Sequence, residues 1–348
     1  MNSKPWGIIL AGGDGKRLKT VSRFLSGDNR PKQFCALFGG SSLLTQTRGR
    51  LRPAIESDRM LFTVVKDHER FYAPELADVA ESNIVVQPAN RGTTAAIVYS
   101  LIRVTHLEED PMVAFFPADH HYLDEKKFAR SVSSAFEVVK ENRERLVLLG
   151  TKAEAASVEY GWIEPGRRVS NGGTDDLQAY RVNRFWEKPS APIARSLLDR
   201  GCLWNTFVIA GRARTFLEVV ETMDPAMLKA FQPVAEANSK KEEAERANEL
   251  YQALPTGDFS HDVLSQCAER LAVLQMDDAG WGDIGTPEGV LAALERSAPP
   301  AEGRGADEAE QKVAARDAFE TWWSTYCQGL QEVCRHASGK NSSDKTSH

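Results

Sequence analysis

Short apolar runs alternate with longer amphipathic stretches through most of the chain. Runs of strand length fall at 7–11, 60–65, 83–87, 112–116, 146–150, 179–185, 207–210 and 271–275. Helical periodicity occupies 93–108, with Ile97, Leu101, Val104 and Leu107 on one face, and 126–140, with Phe128, Val132, Phe136 and Val139 together. Thr286, Pro287 and Glu288 read as an N-cap, a first-turn proline and an early acid, opening a helix over 289–296. Strands alternating with helices predict an α/β domain built on a doubly wound, mainly parallel sheet. Ligands of such sheets bind beyond the carboxyl ends of the strands.

The pattern changes after Ser297. Residues 298–305 are rich in Pro, Gly and Ala and read as a linker. Beyond it Phe319, Trp322, Trp323, Tyr326, Leu330 and Val333 recur at helical spacing. That amphipathic helix either docks on its own domain or offers a surface to a second copy or a partner. Residues 338–348 are polar and read as a disordered tail. The expected organisation is therefore one domain over 1–297, followed by linker, helix and tail over 298–348.

Composition narrows the class. Of 348 residues, 42% are hydrophobic and 26% charged, as in ordinary globular proteins. A net charge of −6 argues against nucleic acid or an anionic membrane as partner, so any phosphate site must be a local basic pocket. No apolar run reaches the length of a membrane span, and residues 1–5 lack a secretion signal's apolar stretch. The five cysteines are scattered without a C-x-x-C pair, which suggests neither a disulfide frame nor zinc and fits a cytoplasmic setting.

The chemistry begins at the first strand. It breaks into Gly12, Gly13 and Gly15, followed by Lys16 and Arg17. Glycines let backbone N–H groups close on an anion, and the cations add charge, so the turn reads as a phosphate grip or as a plain tight turn. Arg17 after Lys16 excludes a Walker A loop, and Leu18 excludes a dinucleotide fingerprint. Lys32 follows in Arg30-Pro-Lys-Gln-Phe34, where it either folds back over a bound phosphate or stands as an ordinary solvated loop lysine. Asp119 ends an apolar strand, where one or two carboxylates suffice for Mg²⁺; a helix cap is the other reading. His120 and His121 are adjacent and would point to opposite faces, which disfavours a transition-metal site. Asp283, in Gly280-Trp-Gly-Asp-Ile-Gly285, is a second isolated acid that could share the metal or serve its own turn. Glu187 and Lys188 follow the sixth run with a pair suited to a sugar phosphate or to a surface ion pair.

Taken together these segments resemble the sugar-nucleotidyltransferase family, and within it the bacterial mannose-1-phosphate guanylyltransferase branch. Residues 10–18 are similar to LAGGxGxRL, 31–34 to PKQF, and 87–97 to the segment that lines the family's base pocket. Pro117 to His120 resembles ADH, 160–163 YGYI, 185–189 FxEKP, 204–205 WNSG and 280–285 GWSDVG, all in the same order. The resemblance implies a Rossmann-like nucleotidyltransferase domain with a mainly parallel mixed sheet. It implies in-line attack of a sugar-1-phosphate, mannose-1-phosphate first, on the α-phosphorus of GTP, giving GDP-mannose and pyrophosphate with Mg²⁺ as cofactor. Catalysis would fall to Arg17, Lys32, Asp119 and Asp283, the two acids holding the metal. Leu10, Ala11, Gly12, Gly13, Gly15, Gln87, Asn90 and Thr94 would bind the nucleotide. Gly161, Glu187, Lys188 and Asn205 would bind the sugar phosphate. A homodimer is compatible with the family, and the further domains of some relatives are not expected within these 348 residues.

Three departures stand out. Thr94-Ala95-Ala96 lacks the proline of the family's TAPA run, Asn205-Thr-Phe207 stands for Asn-Ser-Gly, and 259–264 replaces a stretch in which Asp262 is the candidate acid. These bear on which sugar and base fit. The same chemistry on another sugar-1-phosphate or nucleotide, and a silent sugar-nucleotide-binding regulator, are the competing readings. The retention of Arg17, Lys32, Asp119 and Asp283 favours catalysis.

Overall fold

Nine strands form one sheet in the order β3-β2-β1-β4-β8-β5-β9-β7-β6. They are β1 (Trp6–Leu10), β2 (Met60–Val65), β3 (Ile84–Gln87), β4 (Met112–Pro117), β5 (Leu146–Lys152), β6 (Gly161–Arg168), β7 (Ala179–Glu187), β8 (Leu203–Arg212) and β9 (Leu271–Gln275). The computed structural model describes residues 4–38, 40–169 and 178–297, together with Asp317, Thr321, Trp323 and Ser324. The pairings β1–β2, β1–β4, β2–β3 and β5–β9 are parallel. β8 runs against β4, β5 and β6, and β7 runs against β6 and β9. Seven strands thus share one direction and two oppose it, which is the mainly parallel mixed sheet that the sequence predicts. The extra pairing of β8 with β6 closes β8, β5, β9, β7 and β6 into a ring.

The first strands read as continuous apolar runs because both of their faces are covered. The helices are α1 (Lys19–Ser26), α2 (Leu43–Leu51), α3 (Glu69–Glu75), α4 (Gly92–Leu107), α5 (Glu125–Glu141), α6 (Ala191–Asp199), α7 (Ala213–Met223), α8 (Pro225–Ala235), α9 (Lys240–Ala253), the short α10 (Phe259–Asp262) and α11 (Pro287–Ser297). Ile9, Phe62, Phe116 and Leu149 pack on one side of the sheet with residues of α2 and α5. Ile8, Leu61, Phe115 and Leu148 pack on the other face, where they meet α4, α7, α8 and α9. Among the described residues, no helix is long and apolar enough to cross a membrane.

α11 packs on a small cluster of Leu18, Val21, Leu43 and Ile284, and Trp323 lies partly buried against the same cluster. The rest of the expected linker, helix and tail lies outside the described residues. Cys35, Cys202 and Cys267 are buried and free.

Candidate functional site

Strand adjacency builds the site. β1 and β4 are parallel neighbours with Leu10 opposite Pro117, and the Ala118 N–H donates to the Leu10 carbonyl at 3.0 Å. The glycine turn leaving β1 therefore lies beside Asp119 leaving β4. Asp283 arrives from the other end of the chain through a two-way backbone bridge: His121 N–H donates to the Gly282 carbonyl, and Gly282 N–H to the His121 carbonyl. Two acids 164 residues apart in number thus reach one place.

Lys32 ties them together. Its Nζ lies 2.9 Å from Asp119 Oδ2, 3.4 Å from Asp283 Oδ1 and 2.6 Å from the Asp283 carbonyl oxygen, and its side chain is only 5% exposed. Burial disfavours the ammonium charge, but Asp119 and Asp283 outweigh it and hold the Lys32 pKa above the usual lysine value. Burial would also raise the Asp283 carboxyl. The His120 hydrogen bond and the Lys32 charge reverse that and hold it well below the usual carboxylate range.

His120 is fixed from behind. Trp281 Nε1–H donates to His120 Nδ1 at 3.2 Å, and an indole N–H can only donate, so Nδ1 is the acceptor and Nε2 carries the proton. That Nε2 faces Asp283 Oδ1 at 3.5 Å. His121 turns away and stacks on Phe38 at 3.9 Å between ring centroids, so the two rings part as adjacent residues in extended chain do.

The glycine turn is held open by a residue the sequence analysis did not single out. Gln33 Nε2 donates to the Ala11 carbonyl at 2.9 Å and to the Gly13 carbonyl at 2.8 Å. The signal was its place beside Lys32, in a 3₁₀ turn that buries both side chains. Gly15 has φ +60°, and a Cβ there would lie 2.9 Å from the Lys32 backbone nitrogen. Arg17 extends over the cleft, with Nη1 2.9 Å from Glu159 Oε2.

A cleft of about 390 Å³ runs from this turn along the strand ends. Of the expected nucleotide residues, Leu10, Gly12, Gly13, Gln87 and Asn90 line it, with Arg17, Asp119 and Asp283 also on its wall. All four expected sugar-phosphate residues, Gly161, Glu187, Lys188 and Asn205, line it too. Gly15 and Lys32 line an adjoining hollow of about 320 Å³ shared with Arg17, Asp119 and Asp283. Gly161 pairs with Glu187 across β6 and β7, and a Cβ on it would lie 2.9 Å from Glu187 Oε2 and 3.2 Å from Asn205 Cβ. Burial, then the nearby Asp258 charge, push the Glu187 carboxyl above its ordinary value. Lys188 has φ +46°, and its Nζ lies 3.5 Å from Glu187 Oε1. Gln87 is held by the Tyr251 hydroxyl at 3.1 Å.

Two expected nucleotide residues lie off the wall. Ala11 is 1% exposed, and its carbonyl is taken by Gln33. Thr94 is fully buried against Gly257, while its neighbour Thr93 lines the cleft. One residue on a helix turns the side chain by about 100°, enough to exchange the cleft for the interior. Thr93 also accepts the Phe259 N–H at 2.8 Å, fastening α10 with Asp258 and Ser260 to the cleft. Asp262, the candidate acid of that stretch, instead accepts the Asp258 N–H at 2.6 Å and lies off the wall.

The 257 loop reaches α4 through a close approach of two glycines. Gly92 has φ +82°, and a Cβ there would lie 2.1 Å from the Gly257 carbonyl oxygen. Gly92→Ala is therefore expected to destabilise the chain by at least about 2 kcal/mol. Urea denaturation of the variant beside the parent chain measures it, and equal midpoints would contradict the contact.

The Nucleotidyl transferase family model matches residues 6–298. The chain is 31% identical over 294 residues to the xanthan biosynthesis protein XanB of Xanthomonas campestris pv. campestris, covering 83% of this chain and 59% of that protein. It is 30% identical over 290 residues to the mannose-1-phosphate guanylyltransferase of Escherichia coli strain K12, covering 82% and 58%. The chain thus spans less than three-fifths of the length of these curated relatives. A crystal structure described as mannose-1-phosphate geranyltransferase from Thermus thermophilus superposes with a TM-score of 0.70 at 28% identity, over 84% of this chain and 79% of that one. With the family model spanning the sheet, the glycine turn and both acids, this chain belongs to the nucleotidyl transferase family.

Proposed function

We propose that the chain transfers a guanylyl group from GTP to mannose-1-phosphate, giving GDP-mannose and pyrophosphate. The observation that carries this reading is the buried Lys32 ammonium held between Asp119 and Asp283 beside the glycine turn. Backbone N–H groups of Gly12 and Gly13 offer donors to a triphosphate, and Arg17 and Lys32 offset the charge that develops at phosphorus. Lys188 pairs with the acceptor's phosphate, while Glu187, Asn205 and the bare backbone of Gly161 hold its hydroxyls. Gln87 and Asn90 lie where the base would rest. No covalent intermediate on the protein is needed: the acceptor oxygen attacks the α-phosphorus as the bond to pyrophosphate breaks, and the protein's part is alignment and charge.

Asp119 and Asp283 also suit Mg²⁺. They are hard oxygen donors already sharing one cation, and magnesium is commonly held by one or two carboxylates with substrate phosphates and water completing the shell. Bound there, the metal would neutralise charge on the α-phosphate and the attacking oxygen. Among the described residues, no group of three or more His, Cys, Asp or Glu is gathered to cage a metal.

Pyrophosphate release measured across a panel of triphosphates and sugar-1-phosphates tests the reading. GTP with mannose-1-phosphate and Mg²⁺ is expected to give the highest kcat/KM. Release with a different pair alone would move the substrate assignment and keep the chemistry. No release with any pair would overturn both and leave a binding protein.

A further inference from the structure

The strand β8 contains an irregularity that faces the cleft. Between the pairs Leu148↔Ile209 and Gly150↔Asn205, four steps along β8 oppose two steps along β5. The additional chain bulges at Thr206, Phe207 and Val208. Bulges at the rim of a sheet re-aim side chains, and they recur beside active sites. Here the bulge turns the half-buried Phe207 onto the cleft wall, with φ +59°. A bulky side chain in the left-handed region is strained, because its Cβ crowds the following carbonyl.

The surroundings hold that conformation. Asn205 Oδ1 accepts the Phe207 N–H at 3.1 Å, and Thr206 Oγ1 accepts the Val208 N–H at 3.3 Å. Thr206 is itself anchored by donating to the Leu149 carbonyl at 2.7 Å. The ring packs against the core cluster that includes Phe185 and Leu203. It is therefore a fixed apolar wedge in a stretch of wall that also carries Glu187, Lys188, Asn205 and Asp258. Glycine would adopt this backbone without strain and leave more space. Strain retained on the wall of a cleft points to a use for the side chain there.

We propose that Phe207 sets which acceptor the cleft admits, restricting it to hexose 1-phosphates without a bulky N-acyl substituent. The proposal rests on the reading of the cleft as a sugar-nucleotide site. Asn205, which pins the wedge through its side chain, lies against Gly161 beside Glu187, so the ring stands at the end of the cleft assigned to the sugar. An N-acyl arm at that end would have to displace a ring whose backbone is bonded on both sides, in a close-packed wall.

The test compares kcat/KM for mannose-1-phosphate and N-acetylglucosamine-1-phosphate, with GTP and Mg²⁺, in the parent chain, Phe207→Gly and Phe207→Tyr. The ratio favouring mannose-1-phosphate is expected to fall by about tenfold or more in Phe207→Gly and to persist in Phe207→Tyr. Phe207→Ala, which removes the ring and keeps a Cβ, gives a second reading of the ratio. Both ring-deleted variants lose the packing of the ring on the core, but the melting temperature is expected to fall less in Phe207→Gly than in Phe207→Ala, since only glycine relieves the left-handed backbone. A ratio within about twofold of the parent in the ring-deleted variants, with mannose-1-phosphate still turned over, would overturn the proposal and leave the guanylyl-transfer reading standing. Absence of turnover in the parent with either acceptor would overturn that reading and this proposal with it.

Discussion

Asp119→Ala is expected to cut Mg²⁺-dependent pyrophosphate release by about three orders of magnitude while leaving a folded chain. The loss is large because this carboxylate is one of the two assigned to the metal, and a metal's charge stabilisation amounts to several kcal/mol. The fold should tolerate the change. Lys32 retains the Asp283 carbonyl at 2.6 Å and its carboxylate at 3.4 Å, and the Asp119 side chain is 35% exposed. Circular dichroism should therefore overlay that of the parent, and calorimetric titration with Mg²⁺ and GTP should show the weakened metal site directly. Turnover within about threefold of the parent would remove Asp119 from the metal site.

Lys32→Met is expected to act on stability as much as on turnover. Methionine fills similar space without charge, so Asp119 and Asp283 are left facing one another. Removing one partner of a fully buried pair costs about 3–5 kcal/mol, and the loss here is expected to be smaller, because the Asp119 and Asp283 side chains are 35% and 26% exposed and keep access to water. Mg²⁺ held by the two acids would favour the folded form and should restore part of that loss in the variant, a response the parent should show less. The pH dependence follows from the two shifts. The Asp283 pKa is depressed on folding, so its contribution is present above the ordinary value of 3.8 and is lost as pH falls through the folded value. The Lys32 pKa is raised, so its contribution is complete below 10.5 and is lost as pH climbs through the folded value. The stability gap between parent and Lys32→Met should therefore be widest between those ordinary values and shrink in strong acid or strong base. Urea denaturation across that range measures the gap. A flat gap, or none, would show that Lys32 is not the cation joining the acids.

Periodicity revealed the parallel half of the sheet because its strands are apolar on both faces. Met60–Val65 and Leu271–Gln275 begin and end where the apolar runs do. β6 was not legible as a strand, since Pro165 and Gly166 interrupt it and its later residues are exposed. β8 begins four residues before the expected run at 207, because the bulge around Phe207 breaks the alternation that marks a strand. The glycine turn, both acids and Lys32 were visible as residue types in series. Their convergence was not, because it depends on β1 lying beside β4 and on the bridge between His121 and Gly282. Gln33, Trp281 and Glu159 escaped for a different reason. Each acts by holding another residue, and that kind of role appears only when the partner is in place.

Crystals grown with GTP and Mn²⁺ in place of Mg²⁺ offer the most direct observation, since the anomalous signal locates the metal independently of the protein. One peak about 2.1 Å from oxygens of both Asp119 and Asp283, with the triphosphate lying on the Gly12 and Gly13 backbone and reached by Arg17 and Lys32, is the expected result. A metal bound away from either acid, or a triphosphate seated clear of the glycine turn, would show that these residues do not form one phosphoryl-transfer site.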